Sequence, residues 1–131
     1  MQYHILKFLS FCVCLLPHKA LLYIGRILGI LYFHLIAKER NRAITQMQMS
    51  LGCSEKEAAE TVKNSFINLG RSFLEILYTP RLNKNNINDF VDPHGLEKIK
   101  AAVQEGHGVV ILTGHVGNWE WLAASMAFNE I

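Results

Sequence analysis

Two apolar runs at the start of the chain constrain its fold more than any other feature. Ile5–Leu16 (ILKFLSFCVCLL) carries one charge, Lys7, and stops at Pro17, while Ala20–Ala37 (ALLYIGRILGILYFHLIA) carries Arg26 and His34. Crossing a bilayer takes roughly 20 consecutive apolar residues, so length alone leaves open whether either run spans one. Lys7 followed by a short apolar core also suits a secretory signal. However, the chain continues Leu15-Leu16-Pro17-His18-Lys19, with no small-x-small cleavage site. Phe11 before Cys12 is too bulky for a lipoprotein signal, so the first run reads as an uncleaved anchor.

The second run has helical spacing. Leu21, Ile24, Leu28, Leu31 and Leu35 recur at steps of three and four and share one face. Gly25 and Gly29 lie one turn apart and permit close approach of another helix or of lipid. Arg26 and His34 reach toward water or head groups, which predicts an interfacial helix; the same periodicity also fits a helix buried in a soluble core.

Charge supports the membrane reading. Up to Arg42 there are six basic residues and one acidic residue, a net +5, and the remainder has seven basic and ten acidic, a net −3, which together give the overall +2. A basic, apolar front joined to an acidic body predicts contact with an anionic membrane. Lys38, Arg40 and Arg42 follow the second run at once, which puts the body on the cytoplasmic side. No extended Lys/Arg stripe exists to bind nucleic acid. Three cysteines, two of them in an apolar run, form no disulfide framework and favour a reducing compartment.

Beyond this front, Ser54-Glu55-Lys56-Glu57 is a capping-box pattern that starts a helix, with Val62, Phe66, Leu69, Phe73 and Leu77 as its apolar stripe and Pro80 as its stop. The polar stretch 81–88 reads as a connection. Phe90-Val91 suits a short strand and Asp92-Pro93-His94-Gly95 a turn. Leu96 to Glu105 reads as a helix closed by Gly106. Gly108-Val109-Val110-Ile111-Leu112-Thr113 is β-branched and apolar, the composition of a strand buried on both faces of a parallel sheet. Another helix begins at Trp119 or Trp121 and runs to Phe128. Strand, helix, strand, helix predicts an α/β layer.

Chemistry concentrates in Thr113-Gly114-His115-Val116-Gly117-Asn118-Trp119-Glu120. The segment follows the expected strand, where sites form in open α/β sheets. His115 falls in the strand-to-helix turn and Glu120 in the first turn of the next helix. Gly114 and Gly117 allow a sharp turn and close approach of a substrate. A histidine oriented by a carboxylate is the minimal general base, and amides near Asn118 and Trp119 favour a developing oxyanion. Taken bare, His-x4-Glu also occurs by chance. No second His or Cys stands at metal-ligand spacing around it, and no Gly-x-Ser-x-Gly elbow offers a serine nucleophile.

The full segment Gly114–Glu120 resembles the histidine–acid motif of the bacterial lipid A biosynthesis (lauroyl/myristoyl) acyltransferases. Asn64-Ser65-Phe66 through Gly70-Arg71-Ser72-Phe73-Leu74-Glu75 resembles the helix before their catalytic domain, and the Leu16-Pro17 junction resembles their membrane-proximal start. The resemblance implies that His115 activates an acceptor hydroxyl, that Glu120 orients it, and that Gly114, Gly117 and Asn118 help bind substrate. It implies an acyl carrier protein thioester as donor, a lipid A precursor glycolipid in the inner membrane as acceptor, and no cofactor or metal.

The expected organisation is α/β: a membrane anchor and interfacial helix over 1–37, a helical connection over 38–89, and the first βαβα part of an acyltransferase sheet over 90–131. Members of that family are more than twice this length, so the chain is expected to be an incomplete, inactive piece. A glycerophospholipid acyltransferase and a non-catalytic membrane-anchored interaction module are the alternatives. Asp more often stands in the acid position of the former, and Glu120 with Asn118-Trp119 favours the glycolipid type.

Overall fold

The computed structural model describes residues 2–114 and 116–131 and divides into two units, the first ending at Leu77 and the second covering Tyr78–Ile131. The first is built from α1 (Gln2–Cys14), α2 (His18–Leu35), α3 (Ala37–Leu51) and α4 (Glu55–Tyr78). Pro17 sits at the N-cap of α2 with an extended backbone (φ −63°, ψ 142°), as its ring and missing amide require. Between α2 and α3 the axis turns by 90° at Ile36. Gly52 closes α3 at φ +64°, its amide donating to the Gln48 carbonyl at 2.9 Å, a left-handed cap that favours glycine.

The start of α4 is the capping box that Ser54 and Glu57 predict. The Ser54 amide donates to Glu57 Oε2 at 3.0 Å, the Glu57 amide to Ser54 Oγ at 3.3 Å, and the Ser54 hydroxyl to Oε2 at 2.7 Å. These bonds from the Ser54 hydroxyl and amide hold the Glu57 carboxyl below the ordinary carboxylate range. A depressed folded value means that this contribution is present above the unfolded pKa and is lost as pH falls through the folded one. Ser54→Ala should cost about 1 kcal/mol of stability near neutral pH, and the deficit should shrink in acid. Paired thermal melts at pH 7 and pH 3 check this; a deficit that grows in acid would refute it.

The antiparallel packing of α2 on α4 rests on three glycines. A Cβ placed on Gly25 would lie 2.7 Å from Arg71 Cα, one on Gly29 2.6 Å from Ile67 Cα, and one on Gly70 2.8 Å from the Gly29 nitrogen. The two backbones therefore touch directly, the close approach expected of Gly25 and Gly29. Around this crossing Leu21, Phe33, Ala58, Val62, Ile67 and Leu74 are buried. At one end His18 Nε2 lies 3.1 Å from Glu75 Oε1. α1 is tied to the last turn of α4 by the Ser10 hydroxyl, which donates to the Leu77 carbonyl at 2.6 Å, a group with no partner inside its own helix.

The expected stripes face outward more than inward. Leu28, Leu31 and Leu35 of α2 and Leu69 and Phe73 of α4 are exposed, because the small residues, not the large ones, occupy the crossing. They line an open groove of about 580 Å³ between α2 and α4. No single helix among the described residues is long and apolar enough to cross a membrane. The transmembrane helix left open above is not supported: Pro17 divides the first run from the second, and the 90° turn separates α2 from the polar α3.

In the second unit the chain makes 3-10 turns at Thr79–Arg81 and Ile87–Asp89 and then forms α5 (Leu96–Gln104) and α6 (Trp119–Phe128). Its asparagines bond to their own loop: Asn86 Oδ1 accepts from the Asn83 amide at 2.8 Å, and its side-chain amide donates to the Arg81 carbonyl at 2.9 Å. Asp92 accepts from the His94 amide at 2.9 Å, and Gly95 follows at φ +92°, which is the turn expected at Asp92–Gly95.

The α/β expectation fails. Among the described residues there is no strand and no sheet, and the fold is helical. Phe90 caps the turn Ile87–Asp89 instead of opening a strand. Residues 108–113 pass without regular structure, with Val110 98% and Leu112 97% exposed. A ladder needs a partner for its amides and carbonyls, and a two-stranded arrangement is at best marginal. With Phe90-Val91 drawn into a helical turn, the apolar run 108–113 is left without a partner strand.

Candidate active site

Gly114 follows the irregular run 108–113, and Trp119 and Glu120 open α6. The Val116 amide donates to the Gly114 carbonyl at 2.8 Å. Gly117 adopts φ +65°, a left-handed conformation that L side chains rarely take, so the glycine there is a backbone requirement. Asn118 is the N-cap of α6, its Oδ1 accepting from the Trp121 amide at 3.2 Å. Glu120 lies in the first turn of α6, where the sequence places it, and is half-buried. His115 lies outside the described residues. The structure thus places four of the five expected residues on one turn and helix start.

α6 is held by the residue after Glu120. Trp121 is buried, its indole N–H donates to Thr79 Oγ1 at 3.1 Å, and its ring lies 5.7 Å from Phe90 and 6.4 Å from Tyr78. Ser125 is fully buried one turn on, and its carbonyl accepts from the Asn129 side chain at 2.8 Å. Aromatic packing of this kind fixes a helix start in rotation and in depth. The first turn that carries Glu120 is accordingly a rigid mount. Trp121 went unassigned in the motif because its value lies in partners 42 and 31 positions earlier in the chain.

Over residues 2–130 the chain matches the model of a family described as bacterial lipid A biosynthesis acyltransferase. It belongs to that family. No individual curated protein and no solved structure gives a significant match. Membership in the lipid A acyltransferase family identifies a transferase of acyl groups and a lipid acceptor, and it covers both structural units. No group of three or more His, Cys, Asp or Glu side chains able to hold a metal occurs among the described residues.

One acid–base contact escaped the sequence reading. His18 and Glu75 meet across 57 positions, both partly buried. Nothing local signals the pairing, since it depends on the antiparallel register that the glycines of α2 and α4 impose.

Proposed function

We propose that this member of the lipid A acyltransferase family moves a fatty acyl chain from an acyl carrier protein thioester to a hydroxyl of a membrane glycolipid. The observation that carries the reading is the segment Gly114–Glu120 at the start of α6, in a chain the family matches from residue 2 to residue 130. His115 takes the hydroxyl proton as the oxygen attacks the thioester carbonyl. The C–O bond forms, the C–S bond breaks, and the carrier thiolate leaves and receives the proton from His115. Neutral imidazole is available near pH 7 for this step. Glu120 acts as a positioning residue that holds the imidazole tautomer and stabilises the imidazolium. Gly114 and Gly117 let substrate approach the backbone, and Asn118 holds the helix start beside it.

The site works at the cytoplasmic face of the inner membrane. Support comes from the exposed apolar side chains of α1 and α2, among them Phe8, Phe11, Leu15, Ile24 and Leu31, together with the basic residues around them. Such a surface suits an interfacial rather than a spanning attachment. Residues 1–37 supply the attachment, 38–89 the helical connection and 90–131 the catalytic corner.

The test is transfer in membranes from cells expressing the complete gene product, with acyl carrier protein thioester as donor and product masses read by mass spectrometry. A glycolipid product one acyl chain heavier is expected; a glycerol phosphate product in its place would overturn the acceptor. Glu120→Ala should lower kcat/KM by about 10²-fold, toward the low end of general acid–base contributions. It should also move the acid limb of the pH profile downward, because a neighbouring carboxylate raises an imidazole pKa. A loss of rate with an unmoved profile would reduce Glu120 to a scaffold residue.

A further inference from the structure

The contacts of Trp121 differ in what they fix. Tyr78 and Phe90 hold its ring by dispersion, which resists separation but lets one surface slide over another. The hydrogen bond from the indole N–H to Thr79 Oγ1, at 3.1 Å, is directional. It selects the orientation of the ring in which Nε1 points at Thr79. Trp121 is only 3% exposed, so without this acceptor its N–H has little water to turn to, and a buried donor left unpaired is costly.

Thr79 is itself stiffly mounted, although it is exposed. It opens the 3-10 turn Thr79–Arg81, and Pro80 fixes one dihedral of that turn. The Leu82 amide donates to the Thr79 carbonyl at 2.9 Å, and the Asn86 side chain donates to the Arg81 carbonyl at 2.9 Å. Leu82 is buried. The hydroxyl therefore stands at a defined place from which to hold the indole.

Glu120 is the residue before Trp121 and lies about 100° around the helix from it. A helix with its side chains is about 10–12 Å across, so a turn of about 20° on its axis carries a side-chain tip by about 2 Å. Misplacement of a reacting group by about 1 Å is enough to cost about 10²-fold in rate. The bond from the Trp121 amide to Asn118 Oδ1 is internal to the helix start and sets no rotation against neighbouring chain. The indole bond does.

We infer that Thr79 is a positioning residue for acyl transfer: by orienting the Trp121 indole it sets the rotation of α6 and with it the aim of the Glu120 carboxylate. This role presupposes the proposed acyl transfer and the part assigned in it to Glu120. Thr79 acts through Trp121 and not on the reacting groups.

The complete gene product is assayed in membranes with acyl carrier protein thioester as donor, and the purified protein is followed by hydrogen exchange. Thr79→Val keeps the shape of the side chain and removes the acceptor. It should lower kcat about tenfold with KM held within about twofold, a smaller loss than that of Glu120→Ala. Thr79→Ser, which keeps the hydroxyl, should bring kcat back to within about twofold of the wild type. Trp121→Phe removes the donor, and adding Thr79→Val to it should cost nothing further, because the bond is already gone. Amide exchange over residues 121–125 should quicken about tenfold in Thr79→Val, while unchanged exchange over residues 62–74 of α4 shows that the variant folds. Quickened exchange with an unaltered kcat would overturn the inference and leave acyl transfer standing, and so would a loss confined to KM. Unaltered exchange would remove the hold of Thr79 on α6. A wild-type preparation that transfers no acyl chain would overturn the proposed function and this role together.

Discussion

His115→Ala should abolish acyl transfer, lowering kcat/KM by about 10³–10⁴-fold, the upper range for a positioned general base. A lipid hydroxyl is far too weak an acid to attack a thioester unaided at neutral pH, so removal of the proton acceptor strikes the step directly. The loss should exceed that of Glu120→Ala, because the imidazole keeps part of its basicity without an orienting carboxylate. Binding of the protein to membranes should be unaffected, since the apolar side chains of α1 and α2 are untouched. Donor turnover and membrane fractionation, measured on the same preparation, separate the two effects. Transfer at a near-normal rate in the variant would remove His115 from the mechanism altogether.

The second large effect is expected at Gly29→Leu, which should prevent the α2–α4 pair from forming. Its first added carbon alone would lie 2.6 Å from Ile67 Cα and 2.9 Å from the Ile67 nitrogen. These are backbone atoms in the middle of a 24-residue helix, and they cannot swing aside as a side-chain tip can. Overpacking a core ordinarily costs about 1–3 kcal/mol; here the helices must separate, and a loss beyond that range is expected. Domains have only about 5–15 kcal/mol to lose, so low yield and a collapsed thermal transition should follow. Gly52→Ala is the contrast: no atom lies within 4 Å of the new carbon, but φ +64° strains it, and a modest loss is expected from the backbone alone. Similar melting of the two variants would contradict the crossing described above.

Features written in short stretches of sequence were legible. The capping box at Ser54, the turn at Asp92–Gly95, the start of α6 at Trp119 and the place of Glu120 in its first turn all follow from neighbours a few residues apart. The glycine pair of α2 announced a close approach, and α4 provides it. The reading failed where a long-range partner decides. Residues 108–113 have the composition of a buried strand, but composition cannot supply the neighbouring strand, and the run remains exposed. The apolar stripes were legible, but which of their residues pack against another helix was not: Leu21 and Val62 are buried while Leu28, Leu31, Leu35, Leu69 and Phe73 are exposed, and spacing alone does not select the partner. Of the site, Gly114, Gly117, Asn118 and Glu120 lie just before and in the first turn of α6, without the strand that was expected to precede them. Trp121 and the His18–Glu75 contact needed the fold, since their partners lie tens of residues away.

The glycine crossing has a consequence for the medium in which this helix pair can exist. Pairs held together by large side chains depend on water to drive them together, and that drive vanishes in hydrocarbon. Backbone laid on backbone owes its attraction to dispersion between atoms in direct contact, which acts equally in either surrounding. It also freezes no rotamers, because glycine has none to lose. The hydrogen bond from Ser10 to the Leu77 carbonyl grows stronger as its surroundings become less polar. The α2–α4 joint therefore does not rely on water to hold it together: its internal geometry need not change between a polar and an apolar surrounding.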